Sequence, residues 1–567
     1  MATLQKKKTN GIYYWYLVES IRVNGKPRPK VIAYLGKAED LLGKLQGLAP
    51  LGSKSFEYGT IAVLHHFIEK LKIPTLFNDA CKNKRGNTPE RMGLTIGKTM
   101  ACIIMQRALH PCSKRAFSSW SKKTFLPILY DFDYAKITSQ HFWDMMDYVE
   151  DDDLKKIEET ITKDIFHSMR PDLDLLLYDY TNFFTFIDSS NNRCAIAQRG
   201  KNKQKRNDLR QFSLALLITR DFKIPIFSDI YAGNTADAKE FSATIPKIQE
   251  RLKLLSKSIE DITLVFDKGS NSKDNFTKIK NINYVASLSV FHDEELKKIP
   301  FSDFKEISIT QDGEKVAFPV YRTNKEIWGK KRTIVMYKSG PLYEGHVKGF
   351  NRDLSRTKEE LETLKESVKN GYYKKNNQKR NWTPEILRER VESIINKQFV
   401  REVITFEILK KKDKTYDLSY EAESSQMLFL EERVFGKIIL ITSRDSWESD
   451  EIINAYHAQA DVENAFRRLK NPFHNSVRPQ YHWTDQKIKV HTFCSVLSLT
   501  VSQLIEKAAH AHGFKMTIHE ILDRLSEIRK VKYLRSRSKK KHYDIEYGLE
   551  EIEDEKTATL FKALMAA

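Results

Sequence analysis

Cysteine is scarce in this sequence. Five residues, Cys81, Cys102, Cys112, Cys194 and Cys494, are scattered along 567 positions with no Cys-x-x-Cys pair. That pattern argues against a disulfide framework and a zinc knuckle. Long hydrophobic runs are missing too. No stretch approaches the roughly 18 apolar residues of a membrane span, and the opening MATLQKKKTNGIYYWY has no apolar signal core behind its lysines. The expectation is a cytoplasmic protein with no membrane partner. There is no internal repeat and no long low-complexity linker, so the length divides into about three to five ordinary folding units.

Acidic residues are the other shortfall. Asp and Glu number 75 against 95 Lys and Arg, a net charge of +20. The excess is clustered at Lys6–Lys8, Lys201–Arg210 (KNKQKRNDLR), Lys374–Arg380 and Arg535–Lys541. Charge on this scale favours a polyanionic partner, nucleic acid before a membrane surface, because no amphipathic lipid anchor accompanies it. The plainer alternative is solubility alone.

What is present is organised around one stretch, Ser449 to Pro472, which reads as a single helix. Ser449 is placed to cap it, Asp450 and Glu451 fall in the first turn where the dipole favours anions, and Pro472 stops it. At about 100° per residue, Ala455, Ala458, Val462, Ala465, Phe466 and Leu469 form an apolar stripe. Tyr456, Gln459, Glu463, Arg467 and Lys470 form a polar row beside it. Such a face presents an acid flanked by cations to an anionic substrate, although a solvated face with ordinary ion pairs has the same pattern.

Upstream, residues 11–36 alternate apolar and polar and break at Asn24-Gly25, a hairpin signal. Residues from about Ser55 to Met169 read as helices, including one behind Thr88-Pro89, with Lys114, Arg115, Lys122 and Lys123 between them. They suit either docking on DNA or a packed scaffold. LDLLLYDYTNFFTFID, from Leu173, is a near-continuous apolar strand holding Asp179, a carboxylate that burial obliges to be paired or to coordinate a metal. Strands follow at 212–219 and 223–233, a helix at 236–255, and a strand from Ile262 to Phe266 that ends on Asp267, Lys268 and Gly269. One more strand closes at Val290. About 145 residues then intervene, reading as a separate inserted domain, before GKIILITS (436–443) leads into the opening helix. An apolar helix follows, and from Lys515 a basic tail that reads as helical.

Three acids from two strands and a helix, in that order, resemble the DDE transposases of bacterial insertion sequences. One large group carries Tyr-x2-Arg-x3-Glu-x6-Lys, and Tyr456, Gln459, Glu463 and Lys470 fall at that spacing with glutamine in arginine's place. Glutamine hydrogen-bonds a phosphate without neutralising it, and Arg467, one turn past Glu463, is positioned to substitute. YDYTNFF around Asp179, YAGNTADAKEF (231–241), DKGSNS at Asp267, RPQYHW, NGKPRPKVIAYLG and LSEIRKVKY are similar too, so the resemblance covers nearly the whole chain.

The resemblance implies an α/β fold: an RNase H-like catalytic core interrupted by a large mixed β/α insertion, with an N-terminal β plus helical region and a helical C-terminal tail. The implied boundaries are 1–50, a β-hairpin unit; 51–170, a helical region that binds DNA ends; 171–290, the first part of the core; 291–435, the insertion; 436–510, the second part of the core; and 511–567, the tail. In that core the first and fourth strands lie side by side, which would bring Asp179 and Asp267 together. The implied activity is cut-and-paste transposition: binding terminal inverted repeats, cleaving DNA and joining the ends to a target. Asp179, Asp267 and Glu463 would be both catalytic residues and ligands of two Mg²⁺ ions about 4 Å apart, with Mn²⁺ able to substitute.

Contacts to DNA would come from Tyr456, Gln459, Arg467, Lys470, Lys268 and the basic loop with Lys201, Lys203, Lys205 and Arg206. Trp328 of the insertion, with Lys325, Lys330 and Lys331, would stack on an unpaired base, against the plainer reading of a tryptophan packed in a β unit. The implied partners are double-stranded DNA, transposon ends and target, and a second copy of the chain. A monomer would pair into a homodimer on two DNA ends, in a bacterial cytoplasm and associated with the nucleoid. The alternatives are a related metal-dependent nuclease, and a transposase-derived DNA-binding protein without catalysis.

Overall fold

The computed structural model describes residues 2–23, 26–42, 52–202, 204–255, 259–279, 282–311, 314–375, 378–411, 416–537, 542–550 and 552–567. The chain divides into two units, one built from Met1–Ile165, Thr185–Ala195 and Arg467–Ala567, the other from Phe166–Phe184 and Ile196–Phe466.

The first unit opens with β1 (Ala2–Thr9), β2 (Ile12–Val23) and β3 (Lys26–Gly36), an antiparallel sheet in that order. Asn10 and Gly11 join β1 to β2 at φ of 49° and 78°. A two-residue turn that follows strand twist needs such positive values, and Asn-Gly reaches them at little cost. The hairpin expected over 11–36 is present as β2 and β3, while its Asn24-Gly25 turn lies outside the described residues. β1 adds to the sequence reading; three successive lysines conceal its alternation.

β4 (Gly52–Glu57) leads into α1 (Gly59–Lys70), and α2 (Ile96–Leu109) follows. The helix expected behind Thr88-Pro89 starts later. Glu90–Arg91 and Leu94–Thr95 first pair around Met92 and Gly93, both at positive φ, and Thr95 then caps α2 by accepting the Lys98 amide at 3.3 Å. α2 is apolar almost all round and buried almost all round. α3 (Asp151–Met169), with three aspartates in its first turn to suit the dipole, runs on toward the second unit.

That unit is built on one sheet. Its strands, with the helices between them, are β5 (Leu175–Thr185), β6 (Arg210–Thr219), β7 (Pro225–Ala232), α4 (Asp237–Leu254), β8 (Thr263–Phe266), α5 (Lys273–Lys278), β9 (Asn283–Leu288), β10 (Lys305–Gln311), β11 (Glu314–Ile327) and β12 (Lys330–Lys338). A later strand, β15 (Lys437–Thr442), completes the nine-stranded order β10-β11-β12-β15-β9-β8-β5-β6-β7. β5, β8 and β9 are parallel neighbours, and each parallel step contains a helix, α4 then α5, because parallel strands need a crossover. The rings of Tyr178, Phe241, Phe266, Phe276 and Tyr284 succeed one another at 4.8–5.8 Å through the core beneath those helices.

The stretch 291–435 does not stand apart as a whole. Its pieces VAFPVYRT and KRTIVMYK are β11 and β12, which extend the same sheet, with β12 pairing to β15 from Thr333↔Thr442 to Lys338↔Lys437. A core of its own belongs to α6 (Gly340–Lys369), α7 (Pro384–Ile395), β13 (Ile404–Lys410), β14 (Tyr416–Ala422) and α8 (Ser424–Arg433), packed around Phe350, Leu361, Leu387, Val400 and Leu418. After β15 come α9 (Ser449–His457) and α10 (Gln459–Lys470).

The chain then returns to the first unit with α11 (Asp485–Ala511), which packs on α2. By length and composition this helix could cross a membrane, contrary to the expectation that no run comes near that length, but 94% of its most apolar window is buried inside the protein. The tail departs from expectation as well. α12 (Ile518–Ser526) ends early, and β16 (Arg529–Arg537) pairs with β17 (His542–Leu549) on one side and β4 on the other, before α13 (Glu555–Ala566). Val531 and Tyr533 at alternate positions favour a strand over a helix. The basic run Arg535–Lys541 starts in β16 and leaves the described residues at 538.

Candidate catalytic site

In the parallel pair of β5 and β8, Val265 stands opposite Leu177. Carried two residues on, that register sets Asp267 level with Asp179 on strands about 4.8 Å apart, and alternation turns both to the same side of the sheet. β9 continues the row, since Phe266 pairs with Ala286 and the next residue is Ser287. Ser287 Oγ donates to Asp267 Oδ1 at 2.6 Å, and the Lys268 amide donates to the same oxygen at 2.7 Å. Asp267 is exposed and Asp179 half-buried. The turn after Asp267 requires glycine for space: a Cβ on Gly269 would stand 2.7 Å from the Tyr180 hydroxyl.

The helix that brings the third acid is interrupted by a one-residue turn. α9 ends at His457, Ala458 keeps a helical backbone and donates its amide to the Asn454 carbonyl at 3.2 Å, and α10 starts at Gln459. Ser449 is the first helical residue and not the cap; the amide of Glu448, before it, donates to Glu451 Oε2 at 2.7 Å. The apolar stripe is buried at Ala455, Val462, Ala465, Phe466 and Leu469, with Ala458 half-buried. Val462 and Leu469, fully buried, contribute about 2 kcal/mol each toward seating the helix. Glu463 and Arg467 are exposed, and Tyr456 and Lys470 half-buried.

Tyr456 ties the elements together. Burial, then the negative charges of Asp267, Glu463 and Asp179, push its phenol up to about 12, opposed by a hydrogen bond with Ser287. All three acids therefore lie within electrostatic reach of one hydroxyl. Tyr180 gives a second view: burial first, then a hydrogen bond to Asp237 and the charges of Asp237, Asp179 and Asp267, raise its phenol far above the usual value. Ser287, Tyr180 and Asp237 were not singled out from the sequence. Asp237 lies inside YAGNTADAKEF, and the strand register points to Ser287.

Two expected DNA contacts are corrected by the structure. Gln459 is only 8% exposed, and its Nε2 donates to the Tyr178 carbonyl at 2.9 Å, one residue before Asp179. At helical spacing it belongs to the stripe of Ala455, Val462 and Phe466, so it braces the Asp179 strand and does not reach a phosphate. Trp328 sits in the turn between β11 and β12, at φ 52°, its ring 4.5 Å from Phe276 and 4.9 Å from His292. The registers place Ile334 level with Phe266, and β12 runs in the direction of β8. Trp328, six residues earlier, is therefore at the opposite end of the sheet from Asp267. Lys325, its expected support, is held by Asp293 at 2.5 Å and Glu295 at 2.7 Å.

In the basic loop, Lys201 and Lys205 are exposed. Arg206 is met by Asp208 through two bonds of 2.9 and 2.8 Å, and Lys203 lies outside the described residues. Lys268 is exposed beside Asp267.

Among the described residues no three His, Cys, Asp or Glu side chains close on a single point. Hard octahedral cations such as Mg²⁺ need only one or two carboxylates, with water and substrate phosphate completing the shell. The oxygen-only donors Asp179 and Asp267, level on neighbouring strands, fit that pattern as a pair.

Residues 184–480 match the family model of the transposase DDE domain, and residues 3–50 that of the IS1634 family transposase N-terminal domain. The first match spans more than half of the chain and includes Asp267 and Glu463, but begins just past Asp179. No curated protein matches the chain. Among solved structures, a piggyBac transposase synaptic complex with hairpin DNA, determined by cryo-EM, is 9% identical with a TM-score of 0.38, over 82% of this chain and 79% of that one.

Proposed function

The chain belongs to the DDE transposase family, and from that premise we propose that it cuts transposon ends at their terminal inverted repeats and joins them to target DNA, with Asp179, Asp267 and Glu463 as its catalytic carboxylates. The observation that carries the reading is the register of β5 and β8, which sets Asp267 level with Asp179; the Glu463 helix adds Tyr456, whose phenol is pushed up by burial and by the three carboxylates. The strand run β7-β6-β5-β8-β9, in which β5 and β8, first and fourth in chain order, are adjacent and parallel, supports an RNase H-like core.

Two Mg²⁺ ions, or Mn²⁺ in their place, would lower the pKa of an attacking water or 3′-hydroxyl and relieve charge on the leaving oxygen. Asp179, Asp267 and Glu463 would hold these ions. Ser287 and the Lys268 amide fix the Asp267 carboxylate through one oxygen, so it is oriented before substrate arrives. Tyr456 stays protonated at neutral pH and acts as a donor beside the acids. Lys268, Arg467, Lys470, Lys201 and Lys205 hold the DNA backbone. Two ends must be cut and joined together, so the working form is a homodimer assembled on paired ends from a chain that is monomeric without DNA.

The test is metal-dependent nicking of duplex DNA carrying the inverted repeat that flanks the gene. Asp179→Asn, Asp267→Asn and Glu463→Gln should each reduce cutting by about a thousandfold or more, while end binding in EDTA survives because phosphate contacts dominate affinity. An Asp267→Asn protein that still cuts would overturn the assignment. Wild-type protein that binds ends and never cuts would leave a DNA-binding derivative as the answer.

A further inference from the structure

The starts of β9 and β12 and the end of β15 meet at one edge of the large sheet, since Thr442 pairs with both Val285 and Thr333. A cavity of about 350 Å³ opens there, with Lys330, Lys331 and Arg332 on one wall and Tyr284 on another. It is separate from the carboxylate site. Asn283, which lines it, pairs with Thr263 at the start of β8, and Asp267 lies four residues further on, about 13 Å along the strand.

Arg332 is the centre of this cavity. Its guanidinium is buried against two rings, 4.9 Å from the centre of Phe276 and 5.4 Å from that of Tyr284. Its Nε donates to the Ile327 carbonyl at 3.2 Å, while its terminal nitrogens meet no acceptor among the described residues. Burial lowers its pKa, and no carboxylate opposes that shift. A buried cation is ordinarily paired. Held in plane by the rings with its fork unengaged, this one is a ready receptor for an oxyanion.

The surroundings point the same way. Tyr284 is 4% exposed, and its hydroxyl has no partner among the described residues. Lys330 and Lys331 are exposed, and neither forms an ion pair among those residues. Glu260 and Asp445 also line the cavity, but neither is within ion-pair distance of the three cations, and Asp445 Oδ1 accepts from the Thr333 hydroxyl at 2.6 Å. The fork alone would satisfy a carboxylate. Three cations and a phenol around one space suit an anion with more charge and more oxygens, which is a phosphate. The volume is that of a small-molecule site and too small for a duplex.

We propose that this cavity binds a small phosphate monoester of about nucleotide size, its phosphate held by Arg332 with Lys330, Lys331 and the Tyr284 hydroxyl. The site needs no metal and stands independently of the transposase reading.

The experiment titrates the full chain, in EDTA and without DNA, with adenosine monophosphate, inorganic phosphate, adenosine and succinate, read by calorimetry and by melting. The monophosphate should bind and raise the melting temperature, inorganic phosphate should do so more weakly, and adenosine and succinate should do neither. Tyr284→Phe, which removes a single hydroxyl, should weaken the monophosphate about tenfold, and Lys330→Ala with Lys331→Ala by as much. Arg332→Lys, which keeps the charge and loses the fork, should weaken it about a hundredfold. If Arg332→Lys lowers the melting of the free chain, the tyrosine and lysine variants decide alone. Absence of heat and of any melting shift at about 10 mM monophosphate would overturn the proposal. So would equal binding of adenosine or succinate, wild-type affinity in the variants, or displacement of the monophosphate by equimolar duplex DNA.

Discussion

Helices α10 and α11 follow each other closely in sequence and treat charge in opposite ways. α10 leaves Glu463 and Arg467 on an exposed face. α11 draws Lys487 to 1% exposure, where its amine donates to the Trp143 carbonyl at 2.6 Å and to Asp147. It also buries His491 against the Val477 carbonyl at 2.8 Å, and Ser498 and Ser502 on Asn475 Oδ1 at 2.6 and 3.0 Å. Nearby Arg107, fully buried, donates to the carbonyls of Ser476, Arg478 and Cys112. Each of these side chains in the first unit has a protein partner for at least one of its polar atoms, which marks it as structural. On α10, Glu463 and Arg467 face outward, where a substrate can take them up.

The sharpest way to break that contrast is Glu463→Gln. Cutting should fall by three orders of magnitude or more, about 4 kcal/mol of transition-state stabilisation, with the melting temperature almost unchanged. A large drop in melting temperature would show Glu463 to be structural after all. Next in size is Arg107→Met, which strands three buried carbonyls and should cost about 3 kcal/mol of stability in denaturant titration. A neutral result would mean that water replaces the guanidinium.

Acid should distinguish the regions too. Burial, then the charges of Lys114, Lys487 and Arg107, lower His482 to about 3 from 6.5. The unfolded chain therefore binds a proton between those values that the folded chain refuses. Stability is complete above pH 6.5 and is lost as pH falls below it, by about 2 kcal/mol at pH 5. His482→Gln should flatten the dependence of melting on pH over that range; a slope identical to wild type would remove His482 as its source. The smallest effect concerns orientation. Ser287→Ala frees one hold on Asp267 and should slow cutting about tenfold without altering end affinity. A thousandfold loss would make Ser287 more than a positioning residue.

Much of this was legible in the sequence where patterns are local. The apolar strands around Asp179 and Asp267, and the stripe that seats Glu463, are short-range periodicities that tertiary packing keeps. Pairings distant in sequence were not legible. Nothing near β11 or β12 announces that they join the sheet of β5, because a strand looks the same whether it extends an old sheet or starts a new one. The basic tail hid β16, since its lysines and arginines mask the alternation of Val531 and Tyr533. Gln459 was misplaced for a different reason: chemistry suggested an outward residue, while its spacing from Ala455 and Val462 already placed it inward. For Trp328, composition suggested stacking, and only the strand registers reveal which end of the sheet it occupies.

The pairing of β16 with β4 bears on when this protein can become complete. Lys532 lies opposite Lys54, so a strand made near the start of synthesis waits for one made near the end. The first unit is interrupted by about 300 residues of the second. At about 5–20 residues per second, the ribosome needs roughly 15–60 s to cross that interval. α2 lacks its neighbour until α11 is made, and β4 has an unpaired edge until β16 follows. A message broken or a ribosome halted inside the second unit would yield a chain that holds Asp179 and Asp267 but can never close its first unit. Such a fragment keeps β4 without its partner strand and α2 without its partner helix.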